Sequence, residues 1–371
     1  MSAPQVNVPT KAPGSSGSRR RAPADSTRTP SRIRLGTRRS ALATTQAAWV
    51  ADRLRAAGHE VELVEVTTFG DTSGAALSTI GGTGVFAGAL RTALLRDEID
   101  VAVHSLKDLP VLPEPGLVVG AIPVREDPRD VLVARDGLTL GELPPGSSVG
   151  TGSPRRAAQL AALGLGLVVQ DIRGNVDTRI AAVHAGRYDA VLLARAGLAR
   201  LGRLDEASEV LDPLQVLPAP GQGALAVECR AGDPATVAAV APLDDHDTRI
   251  CVTAERSLLA ALEAGCTAPI GALAELCDGT DGVELSLRAF VGTLDGSFEL
   301  RRSVVGPPDA PEQAGWALAG RLLADGAGQW SGTSNRPPPH LDGAGGPAGP
   351  PAALDTQPQS HPEPLATERV S

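Results

Sequence analysis

Lysine is almost missing from this chain: of 34 basic residues only Lys11 and Lys107 are lysines, and arginine supplies the rest. Positive charge as a whole is in deficit. A net charge of −9 over 371 residues, with a pI near 5.3, argues against a general nucleic-acid or anionic-membrane binder, because phosphate binding needs a positive surface field. Any anion site must therefore be local. The four cysteines, Cys229, Cys251, Cys266 and Cys277, form no Cys-x-x-Cys pair and no ligand-like cluster with the histidines. That pattern suggests neither a structural zinc site nor a disulfide framework, and it fits a reducing cytoplasm. No apolar run free of charge and glycine approaches the roughly 18 residues of a membrane span, and the N-terminus has no hydrophobic signal core. A Gly-x-x-x-x-Gly-Lys-Ser/Thr loop is also absent, so carboxylates are as plausible a ligand as phosphates for any arginine site.

An apolar content of 42% is enough for two or three ordinary domains. The ends differ from the middle. Residues 1–31 are rich in Ser, Pro, Ala and Arg and cannot build a core, which predicts a disordered tail, with an Arg- and Ser-rich transit peptide as the alternative. Residues 327–371 are again Pro/Gly-rich without apolar periodicity, which predicts a second tail. Between them strand and helix patterns alternate, as in a parallel α/β architecture. The spacing predicts a strand at 33–37, a helix from the cap Ser40 to a stop at Gly58, a strand at 61–66, a helix at 86–96 and a strand at 99–103. A glycine-rich segment, Gly70 to Gly84, reads either as a mobile loop near a site or as a plain surface loop. The design then repeats: Gly150-Thr151-Gly152-Ser153-Pro154-Arg155-Arg156 echoes Gly36-Thr37-Arg38-Arg39-Ser40, each a strand, a Gly-Thr, arginines and a capped helix. Two α/β lobes of similar build are expected, with crossings near 125–130 and 217–222. A long helix from Asp247, three strands within 272–305 and a helix at 311–323 form a smaller α+β domain.

Chemistry is suggested first at Ser105-Leu106-Lys107-Asp108, where a strand end delivers polar side chains before Pro110. A Lys beside an Asp is often only a solvated ion pair. Its place at a strand end, with no other lysine in the body of the chain, favours a functional role. The two Gly-Thr/Arg junctions are anion sites by construction, since free backbone N–H groups and the helix dipole face the ligand while arginine offers a bidentate fork. Arg173, Arg179 and Arg200 fall at comparable junctions. Such a collection in an acidic protein implies a polyanionic ligand. Asp108, surrounded by cations, would remain ionised and could stabilise a developing positive charge. Cys266 follows a helix end in a turn; a small buried hydrophobe and an exposed thiol are both open readings, and His104 reads as a packed strand-end residue.

These motifs together resemble the porphobilinogen deaminase (hydroxymethylbilane synthase) family: Gly36 to Ser40, Val103 to Asp108, Arg125 to Asp130, Gly150 to Arg156, Arg173 to Val176, Pro220 to Gly223, and Gly265-Cys266 with Pro269 to Gly271. The resemblance implies a transferase of three domains, two lobes like those of periplasmic binding proteins and a smaller α+β C-terminal domain. The corresponding boundaries are 32–124 with 223–243, 125–222, and 244–326. It implies a dipyrromethane cofactor joined through a thioether to Cys266, and the head-to-tail condensation of four porphobilinogen molecules, with loss of ammonia, into 1-hydroxymethylbilane. Asp108 would stabilise the azafulvene cation and handle protons. Arg38, Ser40, Ser105, Lys107, Thr151, Ser153, Arg155, Arg156, Arg173, Arg179 and Arg200 would bind the cofactor and substrate. The partner is a small molecule, with no nucleic acid, membrane or metal, and the protein is expected to be a cytoplasmic monomer. Where several members carry loop lysines and an arginine, this chain has Thr79, Thr83 and Phe69. The lobes alone would also suit a non-catalytic anion-binding protein, which needs neither Asp108 nor a modified Cys266; a transcription-factor effector domain would need a helix-turn-helix, which the short N-terminus does not offer.

Overall fold

The first lobe grows from β1 (Ile33–Thr37), α1 (Ala41–Ala56), β2 (Val61–Glu65), α2 (Val85–Leu95), β3 (Val101–Ser105) and β4 (Leu117–Ala121). The punctuation predicts α1 well. Ser40 caps it by accepting a hydrogen bond from the Ala43 N–H at 3.3 Å, and Gly58, at φ +92°, follows its last turn. In this computed structural model residues 32–66, 85–263, 268–280 and 282–329 are described. The glycine-rich segment, with Phe69, Thr79 and Thr83, lies outside them, as do Cys266, residues 1–31 and the chain from 330 onward.

From β4 the chain crosses into the second lobe, built from β5 (Asp130–Ala134), β6 (Ser148–Gly150), α3 (Pro154–Ala162), β7 (Val168–Gln170), α4 (Val176–His184), β8 (Ala190–Ala194), α5 (Arg195–Arg200) and β9 (Glu209–Val210). It then returns to the first sheet as β10 (Leu225–Arg230), followed by α6 (Pro234–Val240). The two five-stranded sheets run β2-β1-β3-β10-β4 and β7-β6-β8-β5-β9. Each sheet keeps the parallel pairs expected of α/β architecture, β1 with β2 and β3, and β6 with β7 and β8, but is mixed. In each, the fourth strand has just arrived from the other lobe and inserts antiparallel: β10 against β3 and β4, β5 against β8 and β9. A strand that enters from across a hinge needs no helical crossover, so it is free to run against its neighbours. Apolar side chains cover both faces of each sheet, Leu35, Val50 and Val227 on one side of the first and Leu90, Leu94 and Ile99 on the other.

The third part packs α7 (His246–Ala261) and α8 (Pro311–Ala324) on one face of the antiparallel meander β11 (Ile270–Asp278), β12 (Val283–Gly292) and β13 (Glu299–Gly306). Two sheet-containing α/β lobes plus a smaller α+β domain is therefore the fold. Its core reaches past the expected boundary at 326, because Ala327 is fully buried against it. Buried Glu255 of α7 joins all three parts. Its carboxylate accepts from Arg125 at 2.7 and 3.0 Å and from the Gly221 N–H at 2.6 Å, one residue on each crossing, and from the Ala274 N–H of β11 at 2.9 Å.

Candidate active site

Pairing with β10 decides where the site begins. Leu225 and Ala226 pair with Ser105 and His104, so β3 continues two residues beyond the Val103 end expected from the apolar run. A single turn of 3-10 helix, Leu106–Asp108, follows. Leu106 is 1% exposed and pins the turn into the lobe; Lys107 is half-buried and Asp108 exposed. Asp108 borders a cleft with Arg38, Gln46, His104 and Ser105. An adjoining cleft has Gln46, Ser105 and Lys107 on one wall and Ala194, Gly197 and Arg200 of the second lobe on the other, with Gly223 of the return crossing between them. His104 is packed, as expected, 3.2 Å from the buried Glu228 carboxylate.

Behind Lys107 lies a buried bridge between the lobes. Its ammonium donates to Gln222 Oε1 at 3.2 Å, and Gln222 Nε2 donates to Asp130 Oδ1 at 2.8 Å and the Pro128 carbonyl at 2.7 Å. Asp130, fully buried, takes Arg155 on one oxygen at 2.8 Å and Arg156 on the other at 2.7 Å. Arg156 also donates to the Leu192 carbonyl at 2.9 Å, and Arg155 to that of Leu217. Burial alone would raise the Asp130 carboxyl; the two guanidinium charges and the hydrogen bonds from Arg156 and Gln222 overcome it and hold it well below the usual carboxylate range. For Lys107 burial wins, since the repulsion of Arg155 and Arg156 works with it against Asp108 and Asp130, and its pKa falls to about 8.

The remaining expected residues divide. Arg200 donates to the Gly223 carbonyl at 2.6 Å, and burial lowers its pKa against the pull of Glu126. Arg179, hydrogen-bonded to the Gly174 carbonyl at 3.0 Å, is lowered to about 10 by burial and by Arg156 and Arg173, so these three cations share one neighbourhood. Arg173 itself is exposed beside Asp171 at 2.9 Å. Thr151 is buried and accepts from the Ser153 N–H at 3.2 Å. Ser153 stands at the N-cap of α3 with Pro154 at the first helical position, as expected, but its side chain makes no cap hydrogen bond. Ser40, by contrast, is occupied as the α1 cap. Cys266, on which a covalent attachment depends, lies outside the described residues. Among the described cysteines none is disulfide-bonded, and burial pushes Cys229 and Cys251 up to about 11, which leaves them unreactive.

Comparison with known proteins decides the family. A family model described as porphobilinogen deaminase, dipyromethane cofactor binding domain, matches residues 33–238, and one described as porphobilinogen deaminase, C-terminal domain, matches 249–324. Porphobilinogen deaminases of Mycobacteroides abscessus, Mycobacterium avium and Mycobacterium tuberculosis are 59%, 57% and 58% identical over 300 residues, 80% of this chain and 98%, 95% and 97% of theirs. The chain belongs to the porphobilinogen deaminase family. Among solved structures, a periplasmic substrate-binding protein from Coxiella burnetii aligns at a TM-score of 0.38 with 13% identity, over 57% of this chain and 91% of that one.

For a porphobilinogen deaminase the site holds three residues that reading the sequence for charge did not single out. Gln46 is 4% exposed on the apolar face of α1 and exchanges hydrogen bonds with Ser105 at 3.2 and 3.3 Å. A lone amide between Leu42 and Val50 on a buried stripe was its signal. Gln222 stands between Gly221 at φ +74° and Gly223 at φ +89°, a double left-handed turn that gave it away as a shaped position. Asp130 gave no signal beyond its motif. The donor set suits a carboxylate-bearing cofactor: the Nε atoms of Arg155 and Arg156 are buried without a hydrogen-bond partner among the described residues.

Proposed function

We propose that this chain condenses four porphobilinogen molecules head to tail, with release of ammonia, to give the linear tetrapyrrole 1-hydroxymethylbilane. The observation that carries this reading is the cleft itself: one exposed acid, Asp108, in a wall otherwise supplied with Arg38, Lys107 and Arg200, in a chain of this family. Each pyrrole brings two carboxylates, which Lys107, Arg38, Arg173, Arg179 and Arg200 can pair, while Ser40, Ser105, Thr151 and Ser153 stand at strand and helix ends able to add hydrogen bonds. Arg155 and Arg156 contribute differently. Their Nη atoms are already held by Asp130 and by the Leu217 and Leu192 carbonyls, so they offer fixed positive charge and Nε–H groups without a partner among the described residues. Asp108 remains the acid for the reacting ring: its carboxylate can stabilise the cation left when ammonia departs, and accept and return protons at the ring nitrogen and the amine.

A dipyrromethane bound through Cys266 would supply the pyrrole α-carbon on which the chain is begun. We infer that Arg155 and Arg156 hold its carboxylates. The domains we infer are 32–124 with 223–243, 125–222, and a third from 244 that includes Ala327; each of the first two holds one five-stranded sheet and the third the meander. We infer that the enzyme acts as a cytoplasmic monomer on a small molecule. Intact mass tests the reading directly. The purified protein should carry one dipyrromethane increment that Cys266→Ser lacks, and Asp108→Asn should keep the increment and the fold while turnover drops about 10²–10⁴-fold. An unmodified wild type, or near-normal turnover in Asp108→Asn, would sink it.

A further inference from the structure

The turn bearing Lys107 and Asp108 is held from outside its own lobe. Arg256, next to the joint residue Glu255 on α7, reaches across from the C-terminal domain and donates to the carbonyls of Leu106 at 3.3 Å, Leu109 at 3.1 Å and Pro110 at 2.7 Å. Within the turn only one backbone hydrogen bond closes the helix, from the Leu109 N–H to the Leu106 carbonyl at 3.1 Å. A one-turn helix leaves its last carbonyls without partners inside the turn, and they carry partial negative charge. A planar guanidinium with two donor atoms is suited to gathering three such oxygens. The contact spans about 150 residues of sequence, and its three carbonyls belong to residues on both sides of Asp108 in the chain.

We propose that Arg256 is a positioning residue for the reaction. By capping the carbonyls around Asp108 it fixes that carboxylate relative to α7, the helix whose chain leads on to Cys266. Glu255, the preceding residue, ties the same helix to Arg125 and Gly221 of the crossings, so α7 orients both the hinge and the catalytic turn. Losing the cap frees the turn without removing any group that contacts substrate. A misplacement of about 1 Å at a reacting group is enough for roughly 100-fold in rate.

The proposal rests on the assignment of Asp108 above, and two independent readouts test it on purified holoenzymes: wild type, Arg256→Ala and Arg256→Lys, each checked for cofactor by intact mass. In Arg256→Ala kcat should fall about 10- to 100-fold with KM changed less than about threefold, and Arg256→Lys, which keeps one donor, should recover part of the loss. Native-state amide exchange should rise at Leu109 in Arg256→Ala while the middle of α7 remains protected. Wild-type kcat in Arg256→Ala, a loss confined to KM, or unchanged exchange at Leu109 would overturn the proposal. If Arg256→Ala does not fold, Arg256→Lys carries both readouts, with a smaller loss of kcat and a smaller rise in exchange expected. A wild type without porphobilinogen turnover would refute the function, and the exchange comparison would still judge the clamp.

Discussion

Lys107 should make substrate capture sensitive to alkaline pH. Burial and the neighbouring Arg155 and Arg156 bring its pKa to about 8, so at pH 9 only about a tenth of the free enzyme still carries the ammonium charge. A charged hydrogen bond to a carboxylate is worth about 1.5–3 kcal/mol, equivalent to about 10- to 150-fold in binding. Hence kcat/KM for porphobilinogen, which reports the free enzyme, should fall about tenfold per pH unit above 8 and level off once that factor is spent. In the complex the bound carboxylates favour the charged form, so kcat should hold to higher pH. Lys107→Arg provides the control, since arginine stays charged throughout; whatever its absolute activity, its profile should lack the inflection near 8. The substrate's own amine titrates equally in both assays and cancels in their ratio. A wild-type profile flat to pH 10, or an identical inflection in Lys107→Arg, would refute the reasoning.

Three further outcomes are expected. Asp130→Asn strands two buried guanidinium groups and should destabilise the protein by about 3–5 kcal/mol in urea unfolding at neutral pH. Because the folded Asp130 pKa is depressed, its contribution is complete above the unfolded value of about 3.9 and is lost only as pH falls through the folded one; the gap to wild type should be level from pH 8 to 5 and shrink below about pH 4, and a gap that widens in acid contradicts the assignment. Gly223→Ala puts a Cβ onto the Glu126 carbonyl oxygen at φ +89°, so it should cost at least about 1–3 kcal/mol by thermal unfolding; a neutral result would mean the crossing can relax there. Gln222→Leu removes the acceptor from Lys107, which should move the kcat/KM inflection below its wild-type position, and an upward move would show that another group sets it.

Much of this molecule could be read from its residues, and the boundary of what could is physical. Ser40, Gly58 and Pro154 punctuate helices by local chemistry, so α1 begins and ends, and α3 begins, close to where the sequence puts them. Where β3 ends was not local. Ser105 is strand because Leu225, far along the chain, supplies its partner, and no property of Val103 to Ser105 could announce that. The antiparallel strands β5 and β10 were hidden for the same reason: alternation of strand and helix fixes a layered α/β architecture but says nothing of a strand delivered across a hinge.

The site divides along the same line, and the division changes what its arginines mean. Counting guanidinium groups at strand-helix junctions found several arginines that the fold does gather near one another, because junction geometry is encoded next to each residue. It treated them as equivalent. Arg155 and Arg156 are 3% and 5% exposed and share a carboxylate from a strand that enters from the other lobe, whereas Arg173 is exposed beside Asp171. Two adjacent buried cations would each be costly to desolvate; Asp130 makes the pair tolerable, and Gln222 extends the network to Lys107 across the lobes. The positions of both arginines thus depend on one buried acid. The same arrangement accounts for Lys107: Arg155 and Arg156 are already paired by Asp130, so burial outweighs attraction and the one lysine in the body of the chain has its pKa lowered to about 8, a titration an arginine there could not show.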